Sequence, residues 1–280
     1  MGTGATEAFV CLMYHNVCAD DAPYGALSPG ITTYFVRDRE FALHLQLMRA
    51  NGATCCGYEI LPRFYAAPAP AAVTEQPFQV VLTFDDGWRE SVEVAGPILE
   101  SAGSQALLFV TSGLVGRPHF LTAAQLQRLP AHVFRVGSHG RTHRPLSSLS
   151  EAEICEELHD SKTFLEDALG YPVDTLSLPG GAGDRRVRRL AAQIGYRFVL
   201  TSQVRLNRRH DDPLALGRIA VRKQTSPDAV RRYVRHEVAR ARWRSWLLHG
   251  AQCLLGRARY DGLRRRLLGA EADHKEMADL

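Results

Sequence analysis

The chain has 280 residues, with 34 Lys and Arg against 30 Asp and Glu, 45% hydrophobic residues and six Cys. That is enough apolar chain to bury the core of one large domain or two small ones, which excludes a disordered chain, a collagen-like repeat and a disulfide-stapled mini-protein. Apolar runs such as 78–84 and 246–255 fall short of the roughly 18 residues that span a bilayer, and residues 1–9 lack a basic start, so neither a membrane span nor a secretory leader is expected. The expected location is cytoplasmic, with a peripheral position at the inner face of the membrane left open.

Eight short apolar, β-branched runs predict strands: Phe9–Tyr14, Ala53–Cys56, Gln79–Phe84, Ala106–Thr111, Val133–Gly137, Thr175–Leu178, Phe198–Ser202 and Arg218–Arg222. After the first, Asp38 as cap, Phe41, Leu45 and Met48 at helical spacing and Gly52 as stop predict a helix. The stretch 66–77 is rich in Ala and Pro and reads as an exposed connection. Ser150, with Glu153 three residues on, has the pattern of a capping box for a helix running to Gly170. From Ser226 the strands cease and the remainder reads as Arg-rich helix. Strands alternating with helices predict an α/β fold with a parallel sheet, closed as a (β/α) barrel or left open. The six cysteines form no Cys-x-x-Cys pair, so reduced thiols are expected.

Two clusters of chemistry follow strand ends. The strand 79–84 stops at Asp85-Asp86-Gly87-Trp88, and adjacent carboxylates repel unless a cation or proton is shared between them. In a (β/α) architecture this end of a strand is where active sites are built. The strand 133–137 leads into His139-Gly140-Arg141-Thr142-His143. Two His with one carboxylate leave open positions on an ion for water, the arrangement of a catalytic metal site.

These residues resemble the polysaccharide deacetylases of the NodB-homology type, carbohydrate esterase family 4. Thr83-Phe84-Asp85-Asp86-Gly87 matches the first family motif, and His139 to His143 matches the second with Gly140 in the Ser/Thr place. Pro179-Gly180-Gly181 is similar to the loop of the third. The resemblance implies a distorted (β/α) barrel of seven or eight parallel strands over residues 8–225, with 226–280 as a helical appendage. It implies Asp85 as general base and Asp86, His139 and His143 as ligands of a divalent ion, Zn2+ first, with Co2+, Ni2+ or Mn2+ as alternatives. It also places Trp88 beside the pocket, where its face would suit a sugar ring, with Pro179 and Gly180 as supporting residues.

The pattern departs in two places. The final strand has no His of the late Leu-x-His motif; Leu247-Leu248-His249 fits the letters but lies in the Arg-rich tail. Tyr14-His15 instead resembles the opening of the permuted deacetylases of poly-N-acetylglucosamine and related exopolysaccharides, and makes His15 the expected acid. Ser177 stands where the third motif has an Arg that holds the catalytic Asp; Arg218 is the expected replacement and Arg222 the second choice.

The resemblance predicts metal-dependent N-deacetylation of an amino sugar, in a glycan or a carrier-linked precursor. The alternatives are deacylation of a small amino sugar and a non-catalytic carbohydrate-binding or membrane-associated scaffold. Residues 231–268 carry 11 Arg against Glu237 and Asp261, a net of +9 that leaves −5 for the rest of the chain. Trp243, Trp246, Leu247, Ala251, Leu254 and Leu255 form an apolar stripe over 243–258, the composition of a membrane-surface helix or of a helix docked on the barrel. No nucleic-acid motif accompanies the Arg cluster, so no nucleic-acid partner is expected.

Overall fold

The computed structural model describes residues 8–66 except 21, 23, 25 and 26, residues 78–181 and residues 183–255. In chain order the strands are β1 (Ala8–Tyr14), β2 (Asn16–Cys18), β3 (Phe35–Arg37), β4 (Thr54–Cys56), β5 (Gln79–Phe84), β6 (Ala106–Val110), β7 (Phe134–Ser138), β8 (Thr175–Ser177), β9 (Phe198–Leu200), β10 (Asn207–Arg208) and β11 (Ile219–Ala220). The strands β1, β5, β6, β7, β8 and β9 lie side by side in that order, all parallel. On the other side of β1, β11 pairs in parallel with Leu12 opposite Ile219, and the chain just before it meets β9 through the bridge Leu200–Leu216. The sheet curls into a half-barrel whose gap is spanned by residues 216–220, which is the expected distorted (β/α) barrel.

All eight predicted strands are present, most with shifted ends. The pair β2–β3 and the two-residue β10, antiparallel to β1, were not anticipated.

Side-chain alternation separates two apolar layers. Phe9 and Cys11 of β1, Val81 of β5 and Leu107 and Phe109 of β6 share one cluster with Phe198, Leu200 and Leu216. Val10, Leu12, Val80, Leu82, Phe84, Leu108 and Val110 point the other way, into a second cluster with helix residues such as Phe41, Leu158 and Leu190. The positions 81, 83 and 85 therefore share one side. Along that side the lining changes from Val81 to Thr83 and Asp85, so the apolar interior becomes polar at the C-terminal end of the sheet.

In the helix Asp38–Ala50, Asp38 is the first helical residue and Arg37 holds the cap position. Glu40 accepts the Arg37 backbone N–H at 3.3 Å, the back-bond of a capping box. The predicted Ser150 box is complete: the Ser150 hydroxyl accepts the Glu153 N–H at 3.3 Å, and the Glu153 carboxylate accepts the Ser150 N–H at 2.9 Å. That helix, Glu151–Leu169, ends on Gly170 at φ 71°. Cys11, Cys18, Cys55, Cys56 and Cys155 are free thiols, as expected. The connection 67–77 and the end of the tail, 256–280, lie outside the described residues.

Candidate active site

The parallel register brings the two motifs together. Asp85 and Asp86 follow β5, His139 follows β7, and β6 lies between them. The Nε2 atoms of His139 and His143 each lie 3.4 Å from Asp86 Oδ1, and all three side chains are buried. One donor atom from each residue falls within 4.8 Å of the others. His139 Nδ1 donates to the Ser177 carbonyl at 2.8 Å, which leaves Nε2 as the ring nitrogen turned to Asp86. Asp86 Oδ1 is buried with no hydrogen-bond partner among the described residues, a costly condition for a carboxylate oxygen unless a cation takes its charge. Three convergent donors, one of them an otherwise orphaned anionic oxygen, fit a divalent ion with borderline N and O ligands.

Trp88 has a different place from the one expected. It is fully buried, packed against Phe35 at 4.9 Å and Phe120 at 4.6 Å between ring centroids, so it presents no face to a sugar. Its indole N–H donates to Asp86 Oδ2 at 2.9 Å and so aims the other oxygen, Oδ1, at the two imidazoles. Asp86 itself sits at φ 76°, a left-handed conformation that costs a non-Gly residue of order 1 kcal/mol and marks the turn as built for this placement.

Asp85 lies in a second buried cluster. Arg218 donates through Nη1 to Asp85 Oδ1 at 2.7 Å and through Nη2 to Oδ2 at 2.9 Å, a two-pronged pair. The same guanidinium donates to Ser177 Oγ at 2.8 Å and to the Thr201 carbonyl at 3.1 Å, and Ser177 Oγ donates to Asp85 Oδ2 at 3.1 Å. Burial opposes charge on Asp85, but Arg218 and then His139 overcome it and hold the carboxyl below its usual range. Burial opposes charge on Asp86 as well, and there the two imidazoles outweigh it and push the carboxyl well down. Arg222, the second choice, instead donates to the Tyr34 hydroxyl at 3.0 Å.

The loop 139–143 is fixed from both sides. Glu157, buried on the helix Glu151–Leu169, accepts the N–H groups of Arg141 at 3.0 Å and Thr142 at 2.9 Å, together with the Thr142 hydroxyl. From the segment after β6, the N–H groups of Ser112 and Gly113 donate to the carbonyls of Gly140 and Arg141 at 3.1 and 2.9 Å. A Cβ at Gly113 would lie 2.5 Å from the Arg141 oxygen, so only Gly allows this approach. Gly140, in the Ser/Thr place of the motif, has φ +75°. Sequence reasoning missed Glu157 and Gly113. The available signal for Glu157 was an acid on the same helical stripe as Ile154, Leu158, Ser161 and Leu165, all buried.

His15 follows β1 directly and is not part of it, and the Asp85 N–H donates to the neighbouring Tyr14 carbonyl at 3.0 Å, so His15 and Asp85 leave adjacent strands side by side. Its ring lies 4.4 Å from that of Tyr34. Burial lowers its pKa, against the pull of Asp86 and Asp85. Pro179 is buried and Gly180 exposed at φ 67°, in the turn directly after β8, whose Ser177 touches both Asp85 and His139. The main chain of His249 lies in the helix Ala239–Leu255, away from any strand.

A curled parallel sheet with an Asp pair and two His past its strand ends is the NodB-type (β/α) barrel. Residues 72–199 match the polysaccharide deacetylase family model, and over this stretch the chain is similar to the carbohydrate-deacetylating hydrolases of that family. YxkH of Bacillus subtilis (strain 168), which bears a provisional polysaccharide deacetylase name, is 25% identical over 229 residues, 80% of this chain and 75% of the relative. The Streptococcus pyogenes deacetylase PplD, solved in complex with acetate, is 25% identical with a TM-score of 0.69, covering 80% of this chain and 96% of that one. IcaB from Ammonifex degensii shares the fold at 24% identity and a TM-score of 0.67, covering 85% and 99%.

Proposed function

We propose that the chain hydrolyses the acetamide of an N-acetylated amino sugar, in a glycan or a carrier-linked glycan precursor, and that Asp86, His139 and His143 hold a divalent ion, Zn2+ in the first place. The observation that carries this reading is the pair of carboxylates with opposite surroundings. Asp85 is clamped by Arg218 and Ser177, whereas Asp86 offers a free oxygen beside two imidazole nitrogens.

A divalent ion in this site supplies Lewis acidity, which lowers the pKa of a bound water and polarises an acyl carbonyl. Asp85, held ionised, accepts a proton from the attacking water. His15, beside it past the end of β1, gives a proton to the leaving nitrogen. The new C–O bond and the broken C–N bond then yield acetate and an amine, which takes up a proton to become an ammonium. Arg218 keeps the Asp85 carboxylate from turning away, with both its oxygens held at bonding distance.

The test is acetate release from N-acetylglucosamine oligomers of several lengths by the Zn2+-loaded chain. Asp85→Asn and His15→Ala should each lower kcat by about 10²–10⁴ with metal content unchanged. Near-normal turnover in His15→Ala removes His15 from the mechanism. Bound metal with no release from any acetylated sugar would favour the carbohydrate-binding scaffold.

A further inference from the structure

The helix Pro227–Val234 is anchored by buried Val230 and Val234, and Val238 just after it is buried too. The next helix, Ala239–Leu255, is different. Trp243 is 65% exposed, Trp246 67% and Leu247 44%, so three of the large apolar side chains most open to water lie within five residues. Positions three and four apart share a helix face, which makes the three a single patch. Arg240, Arg242 and Arg244 are exposed around it, and no Asp or Glu occurs between Glu237 and Asp261. A helix docked on the barrel would bury its tryptophans. These remain outside, although an exposed Trp forgoes about 1.5–3 kcal/mol that burial would return.

We infer that this helix is a docking surface for anionic lipid, its Trp–Trp–Leu patch entering the headgroup boundary and its arginines meeting the lipid phosphates. The match is one of chemistry. Indole rings favour the interface because one edge is apolar and the N–H is polar. Arginines supply about 1 kcal/mol each against a negative surface. Among the described residues no helix is long and apolar enough to cross a membrane, so the contact is one of lying on the surface. Residues 231–268, which include this helix, carry a net +9 against −5 for the rest of the chain, so the end of the chain that holds the helix is the one expected to turn toward anionic lipid.

The chain contains three Trp, and the third, Trp88, is fully buried. A change in intrinsic fluorescence on adding vesicles therefore reports on Trp243 and Trp246, over a constant contribution from Trp88. The full chain is mixed with vesicles of phosphatidylcholine, alone or with about 30% phosphatidylglycerol, and read by emission wavelength and co-sedimentation. The expected result is a blue shift and co-sedimentation with the anionic vesicles only, lost as salt rises to about 0.5 M. A doubly substituted chain, Trp243→Ser with Trp246→Ser, should partition at least roughly tenfold more weakly, with the thermal unfolding midpoint unchanged because both side chains are in water. Equal partitioning of that variant, or no dependence on phosphatidylglycerol, overturns the inference. So does a concentration-dependent dimer abolished by the same substitutions, which would assign the patch to a second copy of this chain.

Discussion

At the scale of single residues, Arg218 shows how a missing group is replaced in space. Ser177 occupies the place of the family's arginine, and the guanidinium arrives from beside β11, across the interior, to meet both Asp85 and that same Ser177. The Arg218–Asp85 pair is fully buried, so removing one partner leaves a lone charge in a low-dielectric site, a loss of about 3–5 kcal/mol. Arg218→Met should therefore lower stability by that order at neutral pH, measured by urea unfolding. Asp85 is depressed in the folded state, so its contribution is present above its unfolded pKa and fades as pH falls through the folded one. In Arg218→Met the largest cause opposing burial is gone, the Asp85 pKa rises, and the acid limb of the pH-rate profile should move to higher pH. Arg218→Lys keeps the charge without the fork and should shift the limb less. A limb that stays in place in Arg218→Met would remove Arg218 from any role in tuning Asp85.

At the scale of elements, the helix Glu151–Leu169 has two jobs with separate signatures. Its start was legible because Ser150 and Glu153 satisfy end groups by a local rule that needs no tertiary knowledge. The bracket made by Glu157 was not, because an acid on an inward stripe has meaning only once the loop 139–143 is known to pass above it. Glu157 spends its carboxylate on two backbone N–H groups and a hydroxyl within the His-x-x-x-His loop. It acts on His139 and His143 through their backbone, as a positioning residue. Glu157→Gln should weaken metal binding about 10–100-fold, the usual cost of an outer-shell defect, read by competition with a chromophoric chelator. Ser150→Ala removes the cap at the helix start and should cost about 1 kcal/mol of stability with metal affinity unchanged. If the two variants weaken metal binding alike, general loosening of the helix explains Glu157 and the positioning role is lost.

At the scale of the whole molecule, what was legible follows the range of the interactions. The strands were read because a parallel sheet buries both faces and leaves apolar runs, and the two motifs because each lies within five residues. Trp88 was misread as a pocket wall because its burial depends on Phe35 and Phe120, 53 residues before it and 32 after. Closure through Leu216, and with it the reach of Arg218, depends on contacts that a single-residue bridge makes. The same topology gives a final expectation. Asp86 and the two histidines leave different strands, β5 and β7, that are not direct neighbours, so an ion in their midst would tie β5 to β7 over the top of β6. An ion that binds the fold and not the unfolded chain at a hundred times its Kd adds about 2.7 kcal/mol. For a domain of this size that is a fall of roughly 5–10 °C in Tm on chelation, restored by Zn2+. Asp86→Asn keeps the shape and loses the anionic ligand, so its Tm should respond little to chelator or Zn2+. If wild type and Asp86→Asn respond to chelation alike, the stabilising ion sits somewhere other than between these strands.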